Sequence, residues 1–311
     1  MSENQQTEPA ADLANSPDLE QKKGLLAALG AFGLWGVFPL YFKAIGHIPV
    51  FEVLANRIVW SLVLVFLLVV ITKRFGHLKA AISDRKTFLL FLGSTSFIAL
   101  NWTTFVWAIA NDRVLEAGLG YYINPLVNVG LGMLFFQEKL NRWQTTAIFL
   151  AICAVALMTY IMGHLPWVSL VLGFSFGFYG LFRKKAQTES TVGLMVETAI
   201  LTPFCLAYLV FLVMTTGLQD GQVAGGFYSM PDFLLLVGTG VVTGVPLILF
   251  SYGAQRLRLS TVGVMQYIAP TMHVVLAIFI FNEAFSHLQF VAFALIWIGL
   301  IIYTIDGIRQ R

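Results

Sequence analysis

Tyr122-Ile123-Asn124-Pro125 returns 145 positions later as Tyr267-Ile268-Ala269-Pro270. Around this pair, Gly118 matches Gly263, Phe136 matches Phe281 and Glu138 matches Glu283, with each Glu 13 residues after its Pro. One Tyr-Ile-x-Pro match is weak, but the shared spacing to Gly, Phe and Glu marks an internal repeat. A shift of 141 similarly overlays Gly36 on Gly177 and Leu40 on Leu181.

The matched stretches lie in apolar runs long enough to be membrane helices, which need about 20 mostly apolar residues. Ten segments qualify: 24–42, 50–72, 87–110, 116–136, 143–162, 165–182, 192–216, 232–254, 259–281 and 287–306. Runs such as SLVLVFLLVVI do not alternate as barrel strands would. The repeat therefore divides the chain into a first half, residues 24–163 (spans 1–5), and a second, residues 164–308 (spans 6–10). Five is odd, so the second half must enter the membrane upside down. Inverted repeats build alternating-access transporters, with substrate bound near the midplane between the halves.

Composition agrees. Of 311 residues, 58% are hydrophobic and 11% charged, and mean hydropathy is +0.80. Soluble domains average about 45–50% apolar and about 25% charged, so a soluble enzyme, a nucleic-acid binder and a disordered chain are excluded. The net charge of +3 suggests no polyanionic partner, and Cys153 and Cys205, both in apolar runs, imply no disulfide framework. Residues 1–23, with two prolines and five acids, read as a disordered tail ahead of a first span that is retained rather than cleaved.

Basic residues set the orientation. With the N-terminus in the cytoplasm, 16 of the 19 Lys and Arg fall on the inside, Lys43 and Arg113 fall outside, and Arg57 lies within a span. Both termini are expected in the cytoplasm.

Phe51-Glu52-Val53-Leu54-Ala55-Asn56-Arg57-Ile58-Val59-Trp60-Ser61, Asn101-Trp102, the run from Gly120 to Pro125 and Val196-Glu197-Thr198 resemble the RarD permeases. These are a group within the EamA branch of the drug/metabolite transporter superfamily. The resemblance covers residues 24–308. It implies a multi-pass inner-membrane permease with a cavity lined by helices 1–4 and 6–9, helices 5 and 10 being peripheral. It also implies a link to chloramphenicol sensitivity.

Ionisable groups at membrane depth are costly and mark function by default. Arg57, about 10 Å into span 2 at 1.5 Å per residue, suits a substrate carboxylate or phosphate through paired hydrogen bonds. Glu197, in span 7, falls opposite Asn56 at the 141 shift and is the candidate proton carrier, together with His273. Tyr121, Asn124 and Asn128 share one face of span 4, as Gln266, Pro270 and His273 do in span 9. At the 145 shift Tyr121 overlays Gln266 and Asn128 overlays His273. These residues, with Asn101 and Trp102 of span 3 and Trp35 of span 1, are the expected cavity wall. Pro125 and Pro270 are the expected hinges, since each removes a backbone donor.

Other features read as structural. Glu52, Glu116, Glu138 and Glu283 sit where an acid suits a helix N-terminus. Gly173-x3-Gly177 and Gly240-x3-Gly244 read as close-packing motifs. The histidines lack metal-ligand spacing, and no metal or cofactor is expected. Gly173-Phe174-Ser175-Phe176-Gly177 matches a hydrolase nucleophile pattern but lacks the strand–turn–helix elbow that the pattern requires. The expected function is a secondary-active permease for a small organic solute. Its rivals are an intramembrane hydrolase using Ser175 and His273, and a sensor that binds without transporting. The expected partners are the solute and the bilayer, with no nucleic acid; a homodimer stays open.

Overall fold

The computed structural model describes residues 17–111, 113–163, 166–216, 229–280 and 287–309. Repeat positions Phe281 and Glu283 lie outside the described residues, as does most of the tail. The helices are α1 (Pro17–Ala44), α2 (Val50–Ile71), α3 (Phe75–Ser83), α4 (Arg85–Ala110), α5 (Val114–Phe136), α6 (Arg142–Met162), α7 (Trp167–Ala186), α8 (Ser190–Thr216), α9 (Met230–Arg256), α10 (Leu259–Met265), α11 (Ile268–Phe279) and α12 (His287–Arg309).

Nine segments among the described residues are long and apolar enough to cross a membrane, with α10 and α11 acting as one. The expected sixth span corresponds to α7, a 20-residue helix that is not among the nine; Arg183, Lys184 and Lys185 occupy its last turn. Helix α1 begins at Pro17, so residues 17–23, expected in the tail, are helical. Asp18 and Glu20 suit its first turn, and Glu20 pairs with Arg256 Nε at 2.7 Å.

Local sequence explains the ends. Asn141 and Gln144 form a capping box on α6. The Ser229 side chain accepts from Asp232 N at the start of α9, with Pro231 in the first turn. Asp84 accepts from Thr87 N (2.9 Å) and Thr87 Oγ1 (2.6 Å) before α4, and these bonds hold its carboxyl below the usual carboxylate range. Helix α6 stops at Gly163, whose φ of +74° is left-handed.

Packing is symmetric under exchange of the two halves. Helix α7 packs on α4 and α5, and correspondingly α1 packs on α9 and α11. The α2–α9 contact mirrors α4–α8, while α2–α8, α5–α10 and α6–α12 are each their own counterparts. Most helices thus bury their inner faces against the opposite half. Tyr122 and Tyr267, matched by the repeat, meet at a ring separation of 6.5 Å, and Tyr267 Oη donates to Tyr122 O. Both lie in a core shared with α6 and α12.

The glycine pairs set the close approaches. A Cβ at Gly173 or Gly177 would press on Ile123 or Val127 of α5 at 2.7 and 2.6 Å, and one at Gly240 would overlap the Trp60 carbonyl of α2. Small residues draw membrane helices together in this way.

The two prolines behave differently. Pro125 sits inside an uninterrupted α5, whereas the ninth segment breaks at Gln266-Tyr267, between α10 and α11. Pro270 clashes with the carbonyl four residues back, which belongs to Gln266, and that carbonyl instead accepts from Ala269 N at 3.3 Å.

Candidate functional site

Arg57 projects from α2 toward the second half. Ser61, one turn on, donates to Arg57 O (2.5 Å) and lies 3.2 Å from Gly240 O of α9. This close seam lets Arg57 Nε donate to Thr243 Oγ1 at 3.1 Å. The guanidinium lies over the Trp102 ring (4.8 Å) and near Phe42 (5.9 Å), contacts that stabilise a cation without neutralising it. No described carboxylate pairs with it. It is only half-buried, and its Nη groups make no hydrogen bond to a described residue.

Tyr121 is placed near the Arg57 contact by α4, where Phe105, one turn after Trp102, meets its ring. Its ring meets His273 edge-on at 6.1 Å and Phe105 at 6.2 Å, yet it remains 40% exposed. The two ring neighbours belong to α11 and α4, one from each half. His273 is fixed by Nε2, 3.0 Å from Trp35 O. Trp35 packs with Phe32, Phe176 and Phe250.

The other polar residues are placed differently. Asn128 is fully buried and donates to Gln266 Oε1 at 2.6 Å, bonding α5 to the break in the ninth segment. Asn124 is buried with Oδ1 unpartnered. Asn101 Nδ2 donates to Leu172 O (2.9 Å) and Ser175 Oγ (3.0 Å), tying α4 to α7. The expected wall is thus an open group, Arg57, Trp102, Tyr121 and His273, and a closed one, Asn101, Asn124, Asn128 and Gln266.

Sequence equivalence takes a further form here. Position 121 matches 266, and 128 matches 273. In space Tyr121 meets His273 and Gln266 meets Asn128. One cross-half contact is therefore made twice, as an open aromatic pair and as a sealed amide pair.

Glu197, the candidate proton carrier, has three partners. It accepts from Ser94 Oγ (2.5 Å) and Tyr179 Oη (3.4 Å) and pairs with Arg183 Nη1 at 3.7 Å. Arg183 is 1% exposed; its Nε and Nη2 donate to Ser251 Oγ (3.0 and 2.6 Å), and Nη2 also reaches Ser190 O (3.0 Å). A Cβ at Gly193 would sit inside this guanidinium. Sequence reading counted Arg183 among the basic residues on the inside, just past the end of the sixth span at 182. Its inward face was signalled by Tyr179, one turn earlier, and by Gly193 opposite. Trp102 stands between the two centres: it contacts Arg57 and, with Leu247, Tyr179 and Glu197, lines a gap of about 10 Å³.

Ser175 and His273 do not form a nucleophile–base pair. Ser175 Oγ bonds Asn101 and Leu172 O, whereas His273 bonds Trp35 O. Among the described residues no cluster could hold a metal ion.

The EamA-like transporter family model matches this chain twice, over residues 22–160 and 165–305, once in each half. An uncharacterized transporter of Vibrio cholerae is 40% identical over 295 residues, covering 94% of this chain and 96% of that protein. The protein RarD of Escherichia coli is 40% identical over 292 residues, covering 94% and 97%. A crystal structure 18% identical in sequence superposes with a TM-score of 0.70 over 93% of this chain and 99% of its own, which shows the shared fold. Two family-model matches and relatives aligned along nearly their whole length make the chain a transporter and not an enzyme: it belongs to the EamA-like transporter family, in its RarD-type branch.

Proposed function

We propose that the protein is a secondary-active permease of the bacterial inner membrane. It has ten spans in two inverted five-helix repeats, and it moves a small amphipathic organic solute by alternating access. The observation that carries this reading is Arg57: a cation between the halves, braced by Thr243 and Trp102, with no described carboxylate partner. Arg57, Tyr121 and His273 bind the solute, and Trp102 walls it.

The contacts at each end support α7 as the tenth span. Its start lies beside Arg113 and Glu116, at the α4–α5 junction. Its far end is followed by Glu189, which pairs with Arg74 just after α2. Helix α7 therefore reaches from the α4–α5 junction to the end of α2. The Arg74 end also gathers Lys184 and Arg256, through Lys184 bonds to Ala254 O and Leu257 O. That end is cytoplasmic by the charge rule, and His47 with Asp232 marks the other.

The doubled contact gives the motion a residue-level form. In the present state Gln266–Asn128 is shut and Tyr121–His273 is open. When the halves rock, the amide pair parts and the exposed space beside the aromatic pair closes. Glu197 couples the motion to protons, with its Arg183 pair made and broken in each cycle.

Two experiments test this. Single cysteines at Lys79 and Asp232 should label from the cytoplasmic and outer sides respectively; Asp220, also expected to report the outside, lies outside the described residues. Cytoplasmic labelling at Asp232 would overturn the span count. Net solute flux into proteoliposomes should be measurable for wild type. A sensor would bind the same solute without moving it.

A further inference from the structure

The open group also specifies what it takes. A carbonyl oxygen only accepts hydrogen bonds, so in the 3.0 Å contact with Trp35 O it is His273 Nε2 that carries the proton. Nδ1 of the neutral ring is then a lone-pair acceptor, and no described residue bonds it. The other pole is Arg57, whose two Nη groups are free to grip a planar anion through paired hydrogen bonds. Arg57 is the one Lys or Arg along α2, and α5, α10 and α11 carry none. A single fixed positive charge matches a monoanion better than a doubly charged phosphate ester. Between the poles are flat rings: Trp102 stacked on Arg57, and Tyr121, which meets both His273 and Phe105, the residue one turn after Trp102 on α4.

Resting on the reading of Arg57 as the solute anchor, we infer that the substrate class is an aromatic or similarly flat monocarboxylate bearing a hydrogen-bond donor. Its carboxylate lies on Arg57, its ring against Trp102 and Tyr121, and its hydroxyl or N–H donates to His273 Nδ1. Solutes with the donor masked, or with the carboxylate neutralised, bind less well for separate reasons that trace to separate residues.

The test is a cycle of ligand groups against residues. Dissociation constants are measured by calorimetry on purified protein for para-hydroxyphenylacetate, para-methoxyphenylacetate and para-hydroxyphenylacetamide. Wild type should prefer the first over each of the others by about tenfold, as expected when a buried polar group loses its partner. In His273→Phe, which keeps the ring edge against Tyr121, the preference over the methoxy compound should vanish and that over the amide should persist. In His273→Asn, which retains an acceptor, both preferences should persist. In Arg57→Gln the preference over the amide should vanish and the other survive. A carboxylate preference that depends on Arg57, with no donor preference traceable to His273, overturns this assignment and leaves the transport reading standing. Equal binding of all three compounds to wild type, or binding of none, overturns the assignment too. Loss of the transport reading itself would appear instead as binding without flux.

Discussion

Replacing Arg183 by methionine should destabilise the protein by about 3–5 kcal/mol, the range for removing one partner of a buried ion pair. Glu197 is then left at 2% exposure with only the Ser94 and Tyr179 hydroxyls. Methionine preserves most of the volume, so the loss reports charge more than packing. Glu197→Leu should be similarly damaging, because Arg183 keeps Ser251 and Ser190 O but loses its carboxylate. The double variant should recover much of the loss, since an apolar pair of similar volume pays no desolvation penalty. Unfolding midpoints in detergent give the cycle directly. Additive losses in the double variant would mean that the two residues act independently.

Glu197→Gln should spare the fold more than Glu197→Leu, because an amide can keep the Ser94 and Tyr179 contacts, yet it should abolish transport driven by a pH gradient. A coupled carrier needs a group whose protonation differs in free energy between its two states, since a ligand that binds both equally shifts nothing. On the proposed mechanism the Arg183 contact, reached from α7 while Ser94 holds Glu197 from α4, supplies that difference. Equilibrative exchange of labelled solute should survive the change. His273→Asn should have the milder effect on driven transport, because Asn128, its repeat counterpart, shows that an amide fits the equivalent position. Accumulation against a gradient by Glu197→Gln at wild-type level would place coupling elsewhere.

The fold was legible where physics acts over long stretches. Apolar length marked nine of the ten expected spans among the described residues, and the repeated Tyr-Ile-x-Pro pointed to a symmetry that the helix packing shows. The small amphipathic helix α3 was not anticipated: it is nine residues long, far short of a span, and it seats Ala81 against Val192 and Val196 of α8. Glu138 shows how chemistry can be read correctly and placed wrongly. An acid at a helix N-terminus was expected at the start of the fifth span. The carboxylate instead accepts from Leu259 N (2.6 Å) and Ser260 N (2.9 Å), capping α10 in the other half. The same limit applies to the site. Residue type and repeat position named Arg57, Tyr121 and His273 as candidates, but nothing local says that Asn128 donates to Gln266, or that Glu197 has Arg183. Those pairings depend on which helices cross, and in this fold most partners come from the opposite half.

The central claim, that Arg57 binds the solute that is moved, is tested most directly by initial uptake rates in proteoliposomes. A thermal-shift screen of metabolites and amphenicols supplies the solute, and wild type, Arg57→Lys and Arg57→Gln are compared at equal reconstituted amounts. Lysine keeps the charge but loses the planar fork, so its rate should fall between the other two. Glutamine removes the charge, and losing a charge-assisted contact of about 1.5–3 kcal/mol should slow subsaturating uptake roughly ten- to a hundredfold. Equal uptake by all three proteins would contradict the account and leave Arg57 as a packing residue between α2 and α9.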